Sequence, residues 1–368
     1  MNKKTQIRPM RIEDIPQIGA LYFRIFRNKA SPSSADFNSY FKNLFFGSPS
    51  YDPAHGGFVH EAADGRIDSV MSAVPMQYHV NERIVVARIM GTFMTDPDTS
   101  TSGAAQLTLH MLRARNQDLC FTDSAAPISA RHFKAVGGLT LPAESLEWCC
   151  IFKRAGYAVC RLKSPASVLQ KTALLPLSRI ADALIERIGK SPSHEASPGV
   201  RDEAIGVDAF QEQASAFMAD YSVRPVWSKP EIAWILHMAS LYRSDGPLQM
   251  RCVYDASGRP CGCYVFFGKS GSIAKVLNVL TASPKDNDLV VGQMLHYLDA
   301  TGHIAARGPL QPRFLEAFSK HRTLFYKHKA HTCVSSRHHE VNEAIDRHNI
   351  FLGGLAGEAW SRIALDFY

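Results

Sequence analysis

The sequence predicts an α+β protein built of two lobes, each a mixed and mostly antiparallel sheet flanked by helices. Three observations lead there. Two stretches of helical periodicity precede three strand-like runs and a further helix. A segment rich in Ser, Pro, Gly and charge interrupts the pattern at residues 186–206. Beyond it the order of two helices, three strands and a helix returns, which an internal structural repeat explains economically. A length of 368 residues also suits two domains better than one. The expected division is an N-terminal lobe over 1–160, a connecting segment over 161–206 and a C-terminal lobe over 207–368.

In chain order, a short strand at the start leads into a helix carrying Ile15, Ile18, Leu21, Tyr22 and Ile25 at helical spacing, with Glu13 and Asp14 near its start. A second helix follows "SPSSADF". The run "GGFVHEA", the turn Asp64-Gly65, the apolar stretch 67–80, the turn Asn81-Glu82 and the stretch 83–95 read as an antiparallel meander. The last strand runs through Pro97 into a lip of small residues, Ser100, Thr101, Ser102, Gly103, Ala104 and Ala105, and then into an amphipathic helix. Helix starts carry unpaired N–H groups and a positive dipole end, so such a lip suits either the close approach of an anion or an ordinary capped loop. "DLCFTD" is a strand, "ISARHFKAVGG" a helix closing on Gly137-Gly138, and "EWCCIFKRAGY" a further strand and loop. After the break come helices at "AFQEQASAFMADY" and "KPEIAWILHMASLY", strands at "MRCVYD", "CGCYVFFG" and "IAKVLNVLTA", and a helix at "DLVVGQMLHYLDATG".

With 46% hydrophobic and 20% charged residues the composition is that of a soluble globular chain, not a disordered one. No apolar stretch reaches the length of a membrane span, and no apolar segment follows the basic start "MNKKTQIRPM", so a cytoplasmic location is expected. The eight cysteines form no C-x-x-C pair and no zinc spacing, which points to reduced thiols and no metal. His338-His339-Glu340 lacks the H-E-x-x-H spacing that places two imidazoles on one helical face. The net charge is 41 minus 34, or +7, partly gathered in Lys320, Arg322, Lys327, Lys329 and Arg337. That run suits nucleic acid, an anionic substrate, a membrane surface or a solvated face, and no nucleic-acid motif accompanies it.

The order of elements and two motifs resemble the GNAT superfamily of acyl-CoA N-acyltransferases, over about 7–138 and more weakly from 208 onward. The first motif is the turn after the fourth strand, Arg/Gln-x-x-Gly-x-Gly/Ala in the family, met here from Ser100 to Ala105. The second is the helix ending A-R-x-(Y/F)-x-x-x-G-F, met here from Ala130 to Gly138. The resemblance implies acetyl-CoA or another acyl-CoA as co-substrate, with its pyrophosphate on Ser100, Gly103, Ala104 and Ala105. It also implies that the strand residues Phe93, Met94 and Thr95 border the pantetheine. Two departures stand out: Ser100 occupies the Arg/Gln position, and Phe133 falls where many members carry the tyrosine that protonates the leaving thiolate. The side chains on offer as a catalytic base are Glu61, His60 and Asp96. In the C-terminal lobe Asp286 and Asp288 replace the Gly-x-Gly turn and oppose a second anion.

The tail "FLGGLAGEAW" admits two readings. Glu358 and Trp360 either line a groove between the lobes, binding an amine and stacking on a sugar or acyl chain, or follow a glycine turn into the core. The implied activity is direct transfer of an acyl group to an amine of a small molecule or saccharide. The alternatives are a non-catalytic GNAT-fold binding protein and a Fem-type aminoacyl transferase using charged tRNA.

Overall fold

In the computed structural model the described residues are 5–29, 31–99, 102–113, 117–162, 167–187, 197–365 and 367. In chain order they form β1 (Gln6–Pro9), α1 (Ile15–Arg27), α2 (Ala35–Phe46), β2 (Phe58–Glu61), β3 (Ile67–Val80), β4 (Arg83–Thr95), α3 (Ser102–Leu112), β5 (Leu119–Ala125), α4 (Pro127–Ala135), β6 (Leu139–Leu141), β7 (Leu146–Ile151), α5 (Arg154–Cys160) and α6 (Ser167–Arg187). They continue with β8 (Arg201–Ala204), α7 (Val207–Phe217), β9 (Val223–Pro225), α8 (Lys229–Ser240), β10 (Leu248–Tyr254), β11 (Pro260–Phe267), β12 (Ile273–Thr281) and α9 (Asn287–Ala300). Last come β13 (Ala305–Pro309), α10 (Leu315–Ser319), β14 (Leu324–His328), β15 (His331–Ser336) and α11 (His339–Asp346).

The local signals act as their chemistry demands. The meander of β2, β3 and β4 turns at Gly65 with φ 85° and at Asn81 with φ 52°, the left-handed conformations that Gly and Asn tolerate. Ser34 caps α2 by accepting the Phe37 N–H at 3.1 Å, and α1 ends on left-handed Asn28.

Two compact units result, and they cross the sequence division. The first gathers Met1–Ser145, Met218–Tyr242 and Lys329–Tyr368; the second gathers Leu146–Phe217 and Arg243–His328. Residues 146–160 therefore leave the lobe the sequence assigns them, and 218–242 and 329–368 join the first unit. The first sheet runs β1-β2-β3-β4-β5-β15-β6, with β9 on β3, and the second runs β14-β7-β13-β12-β11-β10-β8. Each unit thus holds a strand from the other half of the chain: β15 lies between β5 and β6, and β7 between β13 and β14. Among the described strands, ladder pairing is antiparallel except at β4/β5 and β12/β13, and an isolated parallel bridge joins Val223 to Ile350.

In the first unit Leu107 and Met111 of α3 and Phe133 of α4 pack on Met71, Met90 and Cys120 of the sheet. The aromatic faces of α1 and α2, with Tyr22 and Phe37 at 4.9 Å and Phe41 and Phe45 at 4.5 Å, are also buried. In the second unit Trp148 stacks on Phe318 at 4.4 Å beside Val276, Val290 and Met294. No disulfide joins the eight cysteines, and all but Cys160 are buried. Among the described residues no helix is long and apolar enough to cross a membrane.

Candidate acyl-donor cleft

β4 and β5 pair in parallel over only Ala87–Ile89 and Leu119–Phe121. Beyond Ile89 and Phe121 they part, while β4 stays hydrogen-bonded to β3 through Thr95 on its other side. The opening is a cleft of about 360 Å³, bordered by Gly91, Phe93, Met94 and Thr95 of β4, Thr122, Ser124 and Ala125 of β5, Ala104 of α3, and His132 and Phe133 of α4. Met71, Met90, Phe26 and Ile128 complete a largely apolar wall. Four residues the sequence nominates for the donor, Phe93, Met94, Thr95 and Ala104, are thus brought together. Phe133 has no hydroxyl to give. Beside it, His132 accepts from or donates to the Thr108 hydroxyl at 2.9 Å and stands edge-on to Phe93. Burial holds its pKa below the ordinary imidazole value, and Arg131 adds to the effect.

At the start of α3 the small residues do different work. Gly103 is buried: a Cβ there would lie 2.7 Å from Ser69 Oγ, 2.9 Å from His60 Nδ1 and 3.0 Å from Asp68 Oδ1. Glycine therefore lets the helix start sit on the paired polar residues of β2 and β3. Ala105 is exposed in the first turn. Ser100, the residue in the Arg/Gln position, lies outside the described residues, as does Thr101.

None of the three candidate bases lines the cleft. His60 is buried under α3 with Nδ1 2.6 Å from Asp68. The Glu61 carboxylate accepts from Arg8 at 2.6 Å. Asp96 accepts from Arg24 at 2.6 Å and Arg66 at 3.2 Å, and from the Asp98 N–H at 2.9 Å. Glu61 and Asp96 are held by arginines distant in sequence, a pairing that strand pattern does not reveal, and His60 by a carboxylate of the neighbouring strand.

The tail enters the first unit and sets a different acid, Glu358, against two residues of the cleft wall. The glycines of "GGLAG" let it wrap Asp123 of β5, which accepts the N–H groups of Gly354 at 3.1 Å and Glu358 at 3.0 Å. Gly353 has φ 83°, and a Cβ on Gly357 would lie 2.6 Å from the Asp123 carboxyl. Tyr78 donates to the Ala356 carbonyl at 2.7 Å and fixes the same loop. The Glu358 carboxyl accepts the Thr122 hydroxyl at 2.7 Å and the Ser124 hydroxyl, both from residues on the cleft wall. Burial, then repulsion from Asp123, pushes its pKa up to about 8 against the pull of the two hydroxyls and Lys329. Trp360 is core: it is buried, donates to the Gly357 carbonyl at 2.7 Å and meets Trp234 edge-on. Thr122 and Ser124 carried no signal in the sequence beyond their place in a strand.

The second unit closes the corresponding opening. β12 and β13 pair over Ile273–Lys275 and Ala305–Arg307, and beyond that point Gln311 accepts the Val279 N–H at 3.1 Å. Where a pyrophosphate would approach α9, Asp286 accepts from Arg259 at 2.8 Å and from Ser283 at 2.9 Å. Part of the basic run is ion-paired: Lys320 sits on Asp288 and Glu316, Lys327 on Glu147, and Arg337 and His338 on Asp118. No group of three or more metal-binding side chains occurs among the described residues.

No protein-family model matches the sequence, and neither does any curated protein. Solved structures match its fold. A conserved protein of unknown function from Enterococcus faecalis V583, described as a probable N-acyltransferase, gives a TM-score of 0.57 at 10% identity, over 90% of this chain and 72% of that one. A GCN5-related N-acetyltransferase from Anabaena variabilis gives 0.57 at 11% over the same shares, and one from Kribbella flavida gives 0.53 at 10% over 90% and 71%. The chain therefore has the fold of the GCN5-related N-acetyltransferases, with likeness that spans both of its units.

Proposed function

We propose that the protein is an acyl-CoA-dependent N-acyltransferase whose donor occupies the cleft of the first unit. The observation that carries this reading is the parting of β4 and β5 after Ile89 and Phe121, which leaves the backbone edge of Phe93–Thr95 facing an apolar cleft that ends at the start of α3. Such an edge presents donors to a thioester oxygen as charge develops on it, and the helix start favours the donor's phosphates. The closed equivalent in the second unit supports one donor per chain. The acceptor in this reading is an amine of a small molecule or saccharide. Given the methionine-rich wall, an acyl group longer than acetyl fits the donor site better.

Calorimetric titration with CoA, acetyl-CoA and octanoyl-CoA tests the reading. A buried methylene contributes about 0.8 kcal/mol, so burying just two of the additional methylenes of octanoyl-CoA favours it over acetyl-CoA by roughly tenfold. Ala105→Asp places a carboxylate on the exposed first turn of α3 and is expected to weaken all three ligands without unfolding the protein. Failure of the wild-type chain to bind any of them at millimolar concentration would remove the reading. The buried Phe133, with no proton to offer sulfur, favours a non-catalytic binding protein as second reading; binding without turnover would select it.

A further inference from the structure

Of the groups that could move a proton, His60, Glu61 and Asp96 are engaged elsewhere, Phe133 has none to exchange, and His132 on the cleft wall is hydrogen-bonded through Nδ1 to the Thr108 hydroxyl. The structure supplies a carboxyl from an unexpected direction. Glu358 reaches the end of β5 on the tail and is anchored by two hydroxyls whose residues form the cleft wall. It also borders a small cavity beside Gly91, the β4 residue that lines the main cleft, so it stands where both parted strands are within reach. Its main chain is fixed by Asp123, and its place in the loop by Tyr78.

We propose, resting on the acyltransfer reading, that Glu358 is the catalytic residue that takes the proton from the attacking amine and returns it to the departing sulfur. The nitrogen lone pair forms a bond to the thioester carbon while the Glu358 carboxylate receives an N–H proton. The C–S bond then breaks with its electron pair on sulfur, and the carboxyl proton passes to the thiolate. The products are an amide and the CoA thiol, and Glu358 is a carboxylate again. Thr122 and Ser124 act as positioning residues. The charged and titratable groups around the carboxyl are Asp123 on β5, Lys329 before β15, and Tyr78 on β3 with Glu231 of α8 near it. A carboxyl lifted towards neutrality by burial is matched to moving a proton between nitrogen and sulfur.

The test follows amide formation from octanoyl-CoA with octylamine as the probe acceptor, for the wild type, Glu358→Gln and Ser124→Ala. The expected result is a wild-type rate that rises with pH to a midpoint near the elevated carboxyl value. In Glu358→Gln the maximal rate should fall at least about 100-fold and lose that pH dependence, with octanoyl-CoA affinity unchanged. Ser124→Ala removes one hydroxyl that favours the charged form and should move the midpoint upward while retaining turnover. A Glu358→Gln chain that keeps the wild-type rate and profile would overturn the proposal. Octanoyl-CoA binding without amide in any chain would select the non-catalytic reading, and the proposal would fall with its parent. Absence of octanoyl-CoA binding would also overturn the parent reading.

Discussion

At the residue scale, buried polar side chains and two glycines define the site more than its apolar wall does. Glu358 gives a stability prediction whose sign is fixed. Its folded pKa lies above the ordinary carboxyl value, so the folded state binds more protons than the unfolded one between about pH 4.5 and 8. Stability contributed by the neutral carboxyl is present below that window and is lost as pH rises through it. Urea unfolding at a series of pH values should show the wild type weakening across the window and Glu358→Gln weakening less; parallel curves would contradict the assigned shift. Gly103 gives the second prediction. A methyl there meets Ser69, His60 and Asp68 at 3.0 Å or less, so Gly103→Ala should destabilise by about 1–3 kcal/mol in the same assay. The small-residue lip was legible in the sequence, but its reason was not. Pattern shows where side chains are small and does not show whether a ligand or the protein's own core fills the space they leave.

At the element scale the sequence was most informative. Turn chemistry at Asp64-Gly65 and Asn81, and alternation in the strands, locate the meander because those signals are local. The ending of α4 is equally legible and explains part of the family motif. Gly138 N–H donates to the Phe133 carbonyl at 2.8 Å and Gly137 N–H to that of Lys134 at 3.0 Å, with Gly137 at φ 87°. Nothing crowds a Cβ at Gly137, so Gly137→Ala should cost only the left-handed backbone strain, about 1 kcal/mol by denaturant unfolding. A loss near zero would mean that the helix end relaxes. At the other end of α4, half-buried Ser129 lines the cleft in the first turn. Ser129→Trp should fill the opening and lower octanoyl-CoA affinity at least about tenfold by calorimetry at unchanged melting temperature, whereas unchanged affinity would place the donor elsewhere.

At the scale of the whole molecule, sequence order and spatial order diverge, and the site depends on that divergence. The sequence divides the chain once, near residues 161–206, because composition marks a break only where periodicity fails. The structure assigns β15 and the tail to the first unit and β7 to the second. A strand's alternation reports which face is buried and is silent about which sheet buries it, so β15 reads the same in either sheet. The candidate base was legible as an acid in a glycine-rich tail, yet its partners Thr122 and Ser124 were not, because the return of residues 329–368 to β5 is a long-range event. A fragment of residues 1–160 keeps every element the sequence assigns to the first lobe but lacks β15, β9 and the tail. The β5 strand then loses the partner that pairs with it from Leu119 to Ala125, and Asp123 loses the Gly354 and Glu358 amides. An unpaired apolar edge of this kind invites aggregation. The fragment should therefore be insoluble, or should lack a cooperative melting transition by circular dichroism. A cooperatively folded, monomeric fragment would show instead that the exchanged strands add to a unit already complete without them.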